Sequence, residues 1–146
     1  MSTSALPHTA SMMTLPSDQV RAILWRFAPR FDLQMLVQSA RGVARGTVAR
    51  LVAAGERNTH EWTPLKNEMM DAFDAAGLSA VVMEPEEGGF IAGPKNLALA
   101  LTAFELAWVD GGAATASLAG FLALSPIHER GTPEQVQHYM SLAAPP

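Results

Sequence analysis

Apolar residues return with a helical period over most of this chain. From Asp32 onward, Leu33, Leu36, Val37, Ala40, Ala44, Val48, Leu51 and Val52 fall on one stripe while Arg41, Arg45 and Arg50 point elsewhere, which predicts one long amphipathic helix. Upstream, Val20, Ile23, Leu24 and Phe27 form a shorter stripe that Ser17 can cap. Pro29 closes it, because proline lacks a donor and disfavours helix in the residue before it. Downstream of a loop over Glu56 to Trp62, Thr63 as cap and Pro64 at the first helical position start another helix. Its predicted buried face is Leu65, Met69, Ala72, Phe73 and Ala76. Gly77 ends it as a left-handed cap, with Leu78 beyond it for the usual hydrophobic contact.

Leu78 to Met83 is a short apolar run that reads as an extended segment, and Glu84-Pro85-Glu86-Glu87-Gly88-Gly89 after it is turn chemistry. Lys95 to Val109 predicts a helix apolar almost all round, with Leu97, Leu101, Phe104 and Trp108 on one stripe and Leu99 and Leu106 on another. Such a helix is expected to be buried in a larger assembly. After Asp110-Gly111-Gly112, the segment Ala113 to Leu124 is built largely from Ala, Thr, Ser and Gly with Leu118, Phe121 and Leu122. Small residues there either let backbones approach or leave room for a ligand. Thr132-Pro133-Glu134-Gln135 is a capping box with proline at the first position, and Val136, Tyr139 and Met140 then face inward at helical spacing. The pattern predicts an all-α domain of about six helices over residues 16–146, with no internal repeat. Gly42 and Gly46 each cost the long helix about 1 kcal/mol relative to alanine, so close approach of a crossing helix is expected there.

Composition narrows the function classes. A chain of 146 residues suits one domain. With 16% charged and 49% apolar residues, it has apolar surface to spare for a partner or ligand. A formal net charge of -4 gives no basic footprint for nucleic acid. The absence of cysteine excludes disulfides, thiol nucleophiles and thiolate metal sites, and fits a reducing cytoplasm. Met1 to Leu15 has no basic n-region and no apolar run long enough for a signal peptide or a membrane span of about 20 residues. It reads as a disordered leader, or else as an arm on a neighbouring subunit.

The order of motifs then reaches a family. Ala75-Ala76-Gly77-Leu78, the turn Pro85-Glu86-Glu87-Gly88-Gly89, Phe104-Glu105-Leu106-Ala107 followed by Asp110, Ser125-Pro126-Ile127, and Gly131-Thr132-Pro133-Glu134-Gln135 through Tyr139 together resemble the N-terminal α-domain of acyl-CoA dehydrogenases. The resemblance runs from about Asp32 to Ala144 and implies an orthogonal or up-down helical domain. It also implies an FAD flavoenzyme of fatty acid metabolism that oxidises an acyl-CoA thioester to the 2-enoyl-CoA, as a homo-oligomer. In that family a carboxylate takes the α-proton while the β-hydride passes to the flavin. The flavin-binding β-domain, with its Thr-Glu-Pro motif, and the C-terminal four-helix bundle that supplies the carboxylate are absent from these residues. The chain alone is therefore expected to be inactive, as a fragment or one part of a split enzyme. A second possibility is a non-catalytic helical subunit that completes or regulates a partner dehydrogenase.

Carried over by position, the resemblance implies that Ala114, Thr115, Leu118 and Leu122 line one wall of the acyl pocket. Thr115, Leu118 and Leu122 share a face at i, i+3 and i+7; ordinary helix packing would use the same residues. Glu105 lies on an apolar helix, where an unpaired charge is expensive, so pairing with Arg130 or an arginine of the long helix is expected in preference to catalysis. His128 and His138 flank Glu129 and Glu134 without a ligand spacing such as His-Glu-x-x-His. No Gly-x-Ser-x-Gly elbow supports hydrolysis. Gly88-Gly89 with Gly93 lacks the context of a dinucleotide fingerprint and reads as a turn.

Overall fold

A computed structural model describes Phe27 and residues 29–143. The predicted stripe at Val20, Ile23 and Leu24, its Ser17 cap, the leader 1–15 and the last three residues lie outside the described residues. Most of those described are helical, with no strand among them. The predicted long helix is present as α1 (Phe31–Val43), one π-helical turn (Ala44–Val48) and α2 (Ala49–Ala53), which run on without a break. A turn of 3-10 helix, Glu56–Asn58, leads to α3 (Pro64–Ala75). Then come the 3-10 turns Leu78–Ala80 and Pro85–Glu87, α4 (Lys95–Ala107), α5 (Gly111–Arg130) and α6 (Pro133–Ala143).

Local chemistry sets these boundaries. Thr63 Oγ1 accepts the Lys66 amide at the start of α3, and Pro64 occupies the first position. Gly77, at φ 70, reverses the chain after α3 and leaves Leu78 buried. The capping box of α6 forms as the spacing predicts: the Thr132 amide donates to Gln135 Oε1 at 2.9 Å, and Thr132 Oγ1 accepts the Gln135 amide at 3.3 Å.

The apolar run after Gly77 is not extended. Its backbone closes i to i+3 bonds, Ala80 to Gly77 and Met83 to Ala80, because no neighbouring strand offers partners among the described residues. Leu78, Ala80, Val81 and Met83 are buried all the same. The turn behind them is held by the Glu84 amide donating to Glu87 Oε2 and by Gly89 donating to the Glu84 carbonyl. A Cβ at Gly89 would stand 2.0 Å from the Met83 carbonyl oxygen, so this closure admits only glycine.

The core forms where α4 packs between α1 and α5. Leu33, Leu36, Ala40, Phe73, Leu106 and Phe121 are among its buried members. Three expectations fail here. The buried face of α4 is Ala98, Thr102, Glu105 and Leu106, whereas Phe104 and Trp108 are exposed, because the helix packs along the row that includes its one carboxylate. Tyr139 is exposed while Met140 is buried, so α6 turns a narrower face inward than predicted. At Gly46 a Cβ would meet no atom within 4 Å, so no crossing helix explains that glycine; it lies instead in the π-helical turn. Ahead of α1, Arg30 bonds the Asp32 carboxylate and the Gly93 carbonyl, and its guanidinium holds the Asp32 carboxyl down to about 2.

Candidate functional site

The predicted pocket residues lie on α5, which runs six residues beyond the predicted end at Leu124, with Pro126 inside it. Asp110 starts the helix: its Oδ1 accepts the Ala113 amide at 2.8 Å. Small side chains let α5 lie close on the core, and Ala113, Ala114, Ser117 and Phe121 form its buried face. Ser117 Oγ donates to the Ala114 carbonyl at 2.9 Å, which satisfies the hydroxyl without a partner from another helix.

The four residues separate into two environments. Ala114 is buried in the core. Thr115, Leu118 and Leu122 share the adjoining flank: Thr115 is exposed and its Oγ1 donates to the Gly111 carbonyl, Leu118 is half-buried against the core, and Leu122 is 80% exposed. Leu122 gains nothing from its present surroundings.

A separate cleft of about 320 Å³ opens beside α5, between α3 and α6. Its α5 lining is Ala116, Ser117, Gly120, Phe121 and Leu124, so none of the four predicted residues enters it. Its polar members include Asp74 and Ser79, which bond each other at its edge. A second cleft of about 240 Å³ carries Glu84, Glu87, Lys95, His128 and Glu129. There His128 stands 3.9 Å from both Glu87 and Glu129 carboxylates, and Lys95 is 3.6 Å from Glu84. No group of three or more His, Asp or Glu side chains among the described residues could hold a metal ion.

Glu105 is paired, and its partner is on the long helix. Arg41 Nε and Nη2 donate to the two Glu105 oxygens at 2.9 Å each, a bidentate pair with side chains only 6% and 1% exposed. The pair ties α1 to α4 through the core. Arg41 and Arg45 do not point to solvent, away from the apolar stripe, as expected; both are buried. At the start of α6 the Glu134 carboxylate lies below its ordinary range, because its own amide and the Thr132 side chain donate to it.

Sequence reasoning missed two residues that shape α5. The signal that could have found Asp110 is an aspartate three residues ahead of Ala113 at the start of a helical run. Its ion pair with Arg57, at 2.7 Å, was not legible, because it spans 53 residues and starts in a loop.

No helix among the described residues is long and apolar enough to cross a membrane. Comparison with protein families finds one match: the acyl-CoA dehydrogenase N-terminal domain, over residues 31–144. No curated protein and no solved structure matches the chain.

Proposed function

The chain belongs to the acyl-CoA dehydrogenase family, as its N-terminal domain, and from that premise we propose that α5 forms one wall of the acyl pocket of an FAD-dependent enzyme oxidising an acyl-CoA to its 2-enoyl-CoA. The observation that carries the proposal is the flank of α5. Ala114 is buried in the core, while on the adjoining flank Leu118 is half-buried and Thr115 and Leu122 are exposed. Seven residues of helix span about 10 Å, enough to lie along part of an acyl chain. Apolar side chains there exclude water from the chain and favour it by burial.

Neither of the two clefts beside α5 fits a flavin dinucleotide. Its pyrophosphate is repelled by like charge, and the clefts carry Asp74 in one and three carboxylates, Glu84, Glu87 and Glu129, against Lys95 and His128 in the other. Lys95 Nζ is moreover occupied by the Met83 and Ile91 carbonyls. Flavin and the proton-abstracting carboxylate are accordingly assigned to the family's other domains, joined in cis or in trans in a homo-oligomeric enzyme.

Acyl-CoA-dependent dye reduction tests this. The purified chain with added FAD is expected to give no turnover and no flavin band near roughly 450 nm, the chemistry residing in the cofactor and its own site. Adding the flavin and C-terminal domains is expected to restore turnover. A yellow chain carrying stoichiometric FAD, or turnover by the chain alone, would overturn the assignment.

A further inference from the structure

The carboxylate that starts α5 is held from two sides. Asp110 Oδ1 accepts the Ala113 amide at 2.8 Å and Oδ2 accepts Arg57 Nη1 at 2.7 Å. The Asp110 side chain is 10% exposed and that of Arg57 is 49% exposed, so a cation at the surface neutralises a carboxylate almost shut off from water. Gly112 makes the room: a Cβ there would stand 2.9 Å from Oδ1.

Arg57 is itself presented by a braced loop. It sits in the Glu56–Asn58 turn, directly after the rod formed by α1 and α2. The Thr63 hydroxyl donates to the Glu56 carboxylate, and Lys66 Nζ donates to the Thr59 and Glu61 carbonyls. The loop thus connects the end of that rod, the start of α3 and the start of α5. A cap carboxylate bonded through one oxygen alone can swing about its side-chain torsions; bonded through both, from different directions, it cannot.

We infer that Arg57 is a positioning residue for the acyl-pocket wall: through Asp110 it fixes the first turn of α5 and so the direction in which Thr115, Leu118 and Leu122 point. The inference rests on the reading of α5 as that wall. A rotation of α5 by one residue would carry the row about 100° round the helix, so the placement of its first turn decides what the acyl chain meets.

Amide hydrogen exchange on the 146-residue chain tests it, comparing Arg57→Met and Arg57→Lys with the parent. Arg57→Met is expected to speed exchange about fivefold at Ala113, Ala114 and Thr115, the scale of a lost cap contact, with Leu36 and Leu106 within about twofold of the parent. Arg57→Lys is expected to restore most of the protection, since an ammonium also reaches the carboxylate. Unchanged exchange in the first turn of α5 would overturn the inference, as would an equal rise in all helices, which marks general destabilisation. Either result leaves the pocket wall itself untouched, because labelling at Leu122 decides that question independently.

Discussion

Replacing Arg41 by methionine is expected to remove about 3 to 5 kcal/mol of folding stability, because it takes two charged donors from the buried Glu105 carboxylate. Both side chains are almost wholly buried and bonded through two oxygens, so no water replaces the lost donors at once. Domains of this size are stable by about 5 to 15 kcal/mol, so the change takes a large share of the total. Urea denaturation followed by circular dichroism measures it. Adding Glu105→Leu to Arg41→Met is expected to recover part of the loss, since it removes the buried carboxylate that lost two donors. A shift worth less than about 1 kcal/mol in the single variant would show that the pair does not hold α1 to α4.

Phe73→Ala is the second large effect, at about 3 to 5 kcal/mol. Phe73 is 1% exposed, belongs to the main core and forms part of the floor of the cleft beside α5. Truncation removes its contacts with the core and joins the vacated space to the cleft. The expected signature is a lower urea midpoint with an unchanged slope, since the surface exposed on unfolding hardly alters. A midpoint within about 0.5 kcal/mol of the parent would mean that neighbouring side chains collapse into the space.

Much of this fold was legible because it is written locally. The Thr63 and Thr132 caps, the left-handed Gly77 and the stripe from Leu33 to Leu51 each follow from neighbours within a turn or two of helix. What escaped depended on distant partners. Periodicity placed Arg41 off the apolar face, but a guanidinium can enter a core when a carboxylate waits there, and Glu105 is 64 residues away. The same pair explains the misplaced face of α4, which buries Glu105 and leaves Phe104 and Trp108 exposed. The run Leu78 to Met83 looked extended because a short apolar stretch carries no period to separate a strand from a tight turn.

The proposed site divides in the same way. That α5 is a helix of small residues, with Thr115, Leu118 and Leu122 on one flank, was legible from spacing; that Ala114 is buried in the core beside that flank was not, since alanine fits either environment. Nor could spacing reveal the cleft beside α5, whose lining comes from α3, α5, α6 and the Leu78–Ala80 turn. Gly120, which lines it, meets nothing within 4 Å of an added Cβ.

The chain contains no cysteine, so a single introduced thiol reports its own position. In the enzyme assembled with the flavin and C-terminal domains, Leu122→Cys can be treated with an ω-bromoacyl-CoA, whose terminal carbon the thiolate attacks with loss of bromide to leave a thioether. Leu142→Cys, on α6 at the edge of the separate cleft and 70% exposed, serves as the control. If α5 is the pocket wall, the thiol at 122 is alkylated faster than the control and is protected by an unreactive acyl-CoA of the same length. Equal rates at the two positions, with no protection at either, would contradict it.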